Sequence, residues 1–180
     1  DKMNGLIISN MMVSIPDYNK YADEVLGPQL DPDTLTAIKA YEAEGDFDNP
    51  GYISTITNNY YPKHVLRMPL EEWPEPVNRG FDRLNGQIYV GMQGPSEFGI
   101  RGDASLLTWD RRKDLSKITI PVLTIGGKYD TMDPEHMREI ASEFPDGSHV
   151  HCPTGSHMAF YDDQQTYFEG LIGWINSVEN

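Results

Sequence analysis

At 180 residues, 38% of them hydrophobic and 11% aromatic, the chain can bury the core of one ordinary domain, or a core plus a sizeable insertion. A mean hydropathy of −0.52, with no apolar run near the roughly 20 residues a bilayer-spanning helix needs, argues against membrane-spanning helices. The net charge of −14 argues against nucleic acid or an anionic membrane as partner, because phosphate binding needs clustered Lys and Arg.

In chain order, Gly5–Ser9 (GLIIS) is a continuous apolar run and predicts a strand covered on both faces. Such a strand needs parallel neighbours that the residues before it do not supply, so the chain reads as a piece of a longer polypeptide. From Met11 the pattern turns helical and is broken by Pro and Gly. Asp33 is a candidate N-cap before Leu35, Ile38 and Tyr41, which share a helical face. Asn49-Pro50 opens another helix, with Ile53, Ile56 and Tyr60 on one side, and Val77, Phe81 and Leu84 mark a third. Gly91–Gly102 (GMQGPSEFGIRG) carries four glycines and predicts a loop.

From Leu115 strand and helix alternate. Val122–Ile125 is a strand, Asp133-Pro134-Glu135 a capped helix start, and Met137, Ile140, Ala141 and Phe144 fall at i, i+3, i+4 and i+7. Ser148–Cys152 is the next strand, and a final helix starting near Asp162 or Asp163 turns Phe168, Leu171, Ile172 and Ile175 inward. This alternation is the signature of an open parallel sheet, whose ligands sit beyond the carboxyl ends of its strands. Residues 1–10 therefore read as a core strand, 11–112 as a helical cap and 113–180 as the rest of the core.

Asp130 follows one strand and His157 follows the next, so the two can meet at one sheet edge. A hydrolytic histidine needs a carboxylate on its Nδ1 side to fix its tautomer and stabilise the imidazolium. Asp130 and His157 are the candidate catalytic pair. The nucleophile is missing: no G-x-S-x-G occurs, and Ser96 in Gly94-Pro95-Ser96-Glu97 lacks the strand-to-helix context. His149 and His151 are neighbours on one strand face with no third metal ligand in sight. The single cysteine, Cys152, excludes an internal disulfide, is expected to pack without reacting, and leaves the compartment open, with the cytoplasm favoured.

LSKITIPVLTIGGKYDTMDP followed by CPTGSHMAFYDD resembles the C-terminal half of an α/β-hydrolase. With NNYYPKHVLRMPLEEWPEPV and MQGPSEFGIRGDASLLTWD, nearly the whole chain is similar to the proline iminopeptidases. The resemblance implies an α/β class fold: the C-terminal part of a hydrolase parallel sheet with a helical cap insertion. The nucleophile elbow and oxyanion hole would then lie upstream of residue 1, in the N-terminal half of the same hydrolase, which becomes a required partner. It implies a serine aminopeptidase acting on peptides with a free N-terminal proline, with no cofactor. In that family a cap Glu in Gly-Pro-x-Glu-Phe holds the substrate amine; the matching residue is Glu97, with Phe98 beside it in the substrate pocket. Some members carry a second Glu after the triad Asp, where this chain has Thr131. Another esterase or amidase of the superfamily, and a catalytically silent binding protein of the same fold, are the alternatives.

Overall fold

The computed structural model describes residues 3–179. Strand β1 (Leu6–Ser9) comes first. Helix α1 (Ile15–Tyr21) runs into a π-helical turn at Ala22–Leu26 and a short 3-10 turn. Helix α2 (Pro32–Glu44) is capped by Asp31, whose side chain accepts from Asp33 N and Thr34 N. The cap thus lies two residues before the expected Asp33, because Pro32 has no N–H to offer and fits the first helical position. Asn49 caps α3 (Pro50–Asn59) as its sequence predicts, and the short α4 (Tyr61–His64) follows. Next come α5 (Glu75–Asp82) and α6 (Gly86–Gln93). Asn85 caps α6 by accepting from Ile88 N, so the helix runs through Gly91 into the stretch expected to be loop.

After Asp110 the chain forms β2 (Val122–Gly127), α7 (Pro134–Glu143), β3 (Gly147–Cys152), α8 (Ala159–Asp162) and α9 (Gln164–Glu179). The three strands form one parallel sheet in the order β1-β2-β3, with Leu6 beside Val122 and Val122 beside Gly147. Every residue of β2, the central strand, is buried. By contrast β1 is only half-buried and Ile7 is 42% exposed, because one edge of β1 has no partner among the described residues.

The chain divides into two compact units. One takes the residues up to Ser14 together with those from Asp110 onward, and the other is Ile15–Trp109. Ser14 and Asp110 form an antiparallel bridge, and Arg111 N donates to Val13 O at 2.8 Å. These bonds hold 11–14 and 110–112 in the sheet unit, narrowing the helical unit at both ends of the expected 11–112.

The sheet unit packs Leu123, Ile125, Cys152, Ala159 and Tyr167 into one cluster, with Val150, Leu171 and Trp174 against it. The inward stripe of α9 is therefore Tyr167, Leu171 and Trp174, while Phe168 and Ile172 are exposed. Gly170 lies on that stripe too: a Cβ there would stand 2.7 Å from Val150 Cγ1. In the helical unit, Ile38, Tyr52, Ile56, Tyr60 and Phe98 share a core with Ala22, Leu26 and Leu30. Here α3 turns Tyr52 and Ile56 inward, its C-cap residue Tyr60 extends the stripe to i+8, and Ile53 is left 50% exposed.

Candidate active site

The sheet dictates where the first two side chains meet. Past Gly127, where β2 ends, the backbone keeps bonding to the end of β3 and the loop after it: Lys128 N donates to Cys152 O at 3.0 Å, and Tyr129 N to Gly155 O at 2.9 Å. Only glycine allows so close an approach at 127, since a Cβ there would lie 2.5 Å from Ser156 O and 2.6 Å from Gly155 O. The β3 loop is pinned from its other side by α8: Asp162 accepts from Ser156 N at 2.9 Å and from the Ser156 hydroxyl. Asp163, just beyond α8, accepts from Thr154 N at 2.9 Å. Two loops from adjacent parallel strands are thereby fixed side by side.

His157 Nδ1 lies 2.9 Å from Asp130 Oδ1. A carboxylate oxygen accepts, so Nδ1 carries the proton and a neutral His157 keeps Nε2 as its basic nitrogen. The Asp130 side chain is fully buried, whereas that of His157 is 22% exposed. Burying a carboxylate is costly unless its oxygens are bonded. Here Oδ1 also accepts from Met132 N at 3.1 Å and Thr131 Oγ1 at 3.4 Å, and Oδ2 accepts from Asn10 Nδ2 at 2.6 Å. Thr131 Oγ1 is also 3.4 Å from His157 Nδ1. Thr131 is itself fully buried beside the pair.

Cys152 and the strand histidines lie in the same unit. Burial pushes the Cys152 thiol up to about 12, helped by the carboxylates of Asp163, Asp162 and Asp130. The thiolate is the reactive form, so native protein near pH 8 should resist iodoacetamide, with alkylation appearing only in denaturant. Mass spectrometry of the alkylated protein with and without denaturant checks this; prompt native labelling would contradict the burial. His149 Nδ1 meets Thr124 Oγ1 at 2.7 Å, and burial, then His151 and Arg138, lower its pKa. Among the described residues no group of three or more His, Cys, Asp or Glu is arranged to hold a metal ion.

The remaining two predicted residues, Glu97 and Phe98, belong to the helical unit. Helix α6 ends at Gly94, whose φ of 98° requires glycine; a Cβ there would also stand 2.9 Å from Arg101 N. In the loop that follows, Ser96 is buried, its hydroxyl accepting from Phe98 N at 3.2 Å and 3.4 Å from Tyr52 OH. It comes after a helix, not at a strand-to-helix turn. Phe98 is fully buried, edge-on to Tyr60 with centroids 4.9 Å apart, and anchors the loop in the core.

Glu97 is held at every polar atom. Its carbonyl accepts from Tyr18 OH at 2.7 Å, and its N–H approaches Tyr61 OH at 3.4 Å. Its carboxylate accepts from Tyr89 OH and, at 3.3 and 3.4 Å, from Gln93 Nε2. Burial, and then the Glu97 charge, push the Tyr61 and Tyr89 phenols well above their usual range, so both remain protonated, Tyr89 as a donor to the carboxylate and Tyr61 as an acceptor from the Glu97 N–H. Glu97 is only 8% exposed, yet among the described residues it forms no ion pair. Arg101, four residues on, pairs with Asp23 and Glu42.

Asn10, Tyr89 and Gln93 are polar contributors that the sequence reading did not single out. Tyr89 and Gln93 sit at i, i+4, a spacing visible in the sequence once 86–93 is read as a helix.

No family model matches the chain. The chain is 49% identical over 178 residues to a proline iminopeptidase of Flavobacterium johnsoniae, covering 99% of this chain and 59% of that protein. It is 44% identical to one from Elizabethkingia meningoseptica (98% and 58% covered) and 42% identical to one from Chitinophaga pinensis (100% and 60%). The chain thus spans about three-fifths of the length of the curated relatives it matches. Among solved structures it is similar to VinJ, with a TM-score of 0.88 at 22% identity, covering 97% of this chain and 58% of that one. It is also similar to a proline iminopeptidase from Mycobacterium smegmatis, with a TM-score of 0.81 at 24% identity over 97% of this chain and 57% of that one. At such identities these likenesses establish the fold. Over nearly its whole length the chain is thus similar in sequence to proline iminopeptidases, and it shares the fold of these two solved structures.

Proposed function

We propose that the whole protein is a serine aminopeptidase that releases proline from the N-terminus of peptides. The observation that carries the hydrolase reading is the 2.9 Å contact between His157 Nδ1 and Asp130 Oδ1 at the ends of adjacent parallel strands. No G-x-S-x-G occurs in residues 1–180, so the nucleophilic serine is assigned to a part of the protein outside them. Its hydroxyl attacks the carbonyl carbon of the N-terminal prolyl residue while His157 Nε2 takes the hydroxyl proton. Asp130 stabilises the resulting imidazolium. The imidazolium then gives that proton to the departing amine as the C–N bond breaks. Water, deprotonated by the same nitrogen, cleaves the acyl–serine ester and frees proline.

Glu97 is proposed as the ligand of the substrate's ammonium group. A buried carboxylate served by neutral donors alone lacks the charge that would offset its lost hydration. The cationic N-terminus of a prolyl peptide supplies it. Phe98, packed in the core, holds the Glu97 loop in place.

The test is hydrolysis by the intact protein of an N-terminal prolyl amide, its N-acetylated counterpart and a simple ester. The expected result is turnover of the free-amine substrate with the acetylated one left intact. Equal turnover of both amides would sink the aminopeptidase reading in favour of a general amidase or esterase. No turnover of any of the three would sink the hydrolase reading.

A further inference from the structure

Asn10, the residue directly after β1, lies in the left-handed region at φ 49°, a conformation that Asn tolerates better than most side-chain-bearing residues. Its backbone N–H still bonds Ile125 O at 2.8 Å, so the turn begins directly at the strand end. The residue is buried. Its Nδ2 donates to Asp130 Oδ2 at 2.6 Å and to Ser156 O at 3.2 Å, and its Oδ1 accepts from Ser9 Oγ at 2.9 Å. Ser9 Oγ is also 2.9 Å from Tyr167 OH, and with the Ser9 proton committed to Asn10, the tyrosine is the donor there. Only one amide orientation fits. Flipped, Oδ1 would face a carboxylate and a carbonyl while Nδ2 faced the Ser9 proton.

We propose that Asn10 is a positioning residue for the Asp130–His157 pair. One amide group binds both halves of that pair at once: the far oxygen of the acid, and the carbonyl of the residue before the histidine. Among the described residues Asn10 supplies the hydrogen bond to Asp130 Oδ2, and so opposes rotation of the carboxylate away from His157 Nδ1. Ser9 and Tyr167 fix the amide itself. Asn10 touches no reacting atom; it acts through Asp130 and Ser156.

The test is Asn10→Gly in the intact protein, since glycine keeps the positive φ without strain and removes only the amide. The variant should lose kcat by about 10- to 100-fold, the value of a hydrogen bond to a charged group, with KM changed by no more than about twofold. In proton NMR of the folded variant, the low-field resonance of the His157 Nδ1 proton should broaden or disappear. An unchanged resonance overturns the proposal, whether or not kcat falls, because any effect then bypasses the pair. A lost resonance supports it even if prolyl peptides prove not to be substrates, so failure of the aminopeptidase reading stays separate. Asn10→Asp gives a second readout should the glycine variant not fold. Two carboxyls at this distance ionise one after the other, the second at a strongly raised pH, so at lower pH one stays protonated and donates in place of the amide. Rising pH strips that proton, and the variant's kcat relative to the parent protein should fall as pH rises. A ratio that is flat with pH, at parental kcat, overturns the proposal as well.

Discussion

Asp130→Asn in the intact protein should lower kcat on an N-terminal prolyl amide by about 10⁴-fold while leaving KM nearly unchanged. Neither orientation of the new amide suits the site. With its NH₂ at the Oδ2 position, it faces Asn10 Nδ2, which now stands 2.6 Å from that position as a donor. With its NH₂ at the Oδ1 position, it faces Met132 N–H and His157 Nδ1. The histidine must then surrender its Nδ1 proton and keep one on Nε2, which leaves the outward nitrogen unable to act as a base. The variant should fold, because the two side chains have the same shape, and thermal unfolding checks that. His157→Ala should cost a similar factor, and the double variant little more, because residues that act as one unit are strongly non-additive. A folded Asp130→Asn protein within tenfold of parental activity would remove the pair from the chemistry.

The pair was legible because its signals are local. Val122–Ile125 and Ser148–Cys152 are apolar or alternating runs bounded by turn residues, and Asp130 and His157 stand just beyond them. A parallel sheet then brings the two together whatever the intervening helix does in detail. Asn10 offers no such signal. A polar residue after a strand is ordinary, and its role depends on a carboxylate 120 residues further along. Tyr89 and Gln93 were hidden because the glycines at 91 and 94 read as loop. A helix carries a single exposed glycine for about 1 kcal/mol, and the Asn85 cap returns a comparable amount.

The stripes of α3 and α9 slipped for a different reason. In both helices apolar residues occur around much of the circumference, so spacing alone does not fix which face is buried. What decides α9 is Gly170 against Val150, and what decides α3 is a ring cluster in which Tyr52 meets Tyr41 and Phe47 edge-on. Both are tertiary facts. The half-exposed β1 has the same origin: burial on both faces depends on neighbours, and among the described residues it pairs with β2 alone.

Glu97→Gln should separate the charge of this residue from its shape. The carboxamide can still accept from Tyr89 OH, and the loop is held independently through Tyr18 OH on the Glu97 carbonyl and through buried Phe98. What disappears is the negative charge, and a substrate ammonium bound against it would become a buried cation without a partner. Breaking a buried pair from one side costs on the order of 3–5 kcal/mol, or about 10²- to 10⁴-fold in kcat/KM for a prolyl amide. Hydrolysis of a simple ester, which brings no ammonium, should stay within a few-fold of the parent protein. The ratio of the two activities is therefore the diagnostic quantity, and it is insensitive to losses of folded protein. Equal losses on both substrates would assign Glu97 to holding its loop, with no part in amine selection. A loss confined to the prolyl amide would tie substrate choice to one acid whose neighbours, Tyr89 and Gln93, lend it hydrogen bonds but no compensating charge.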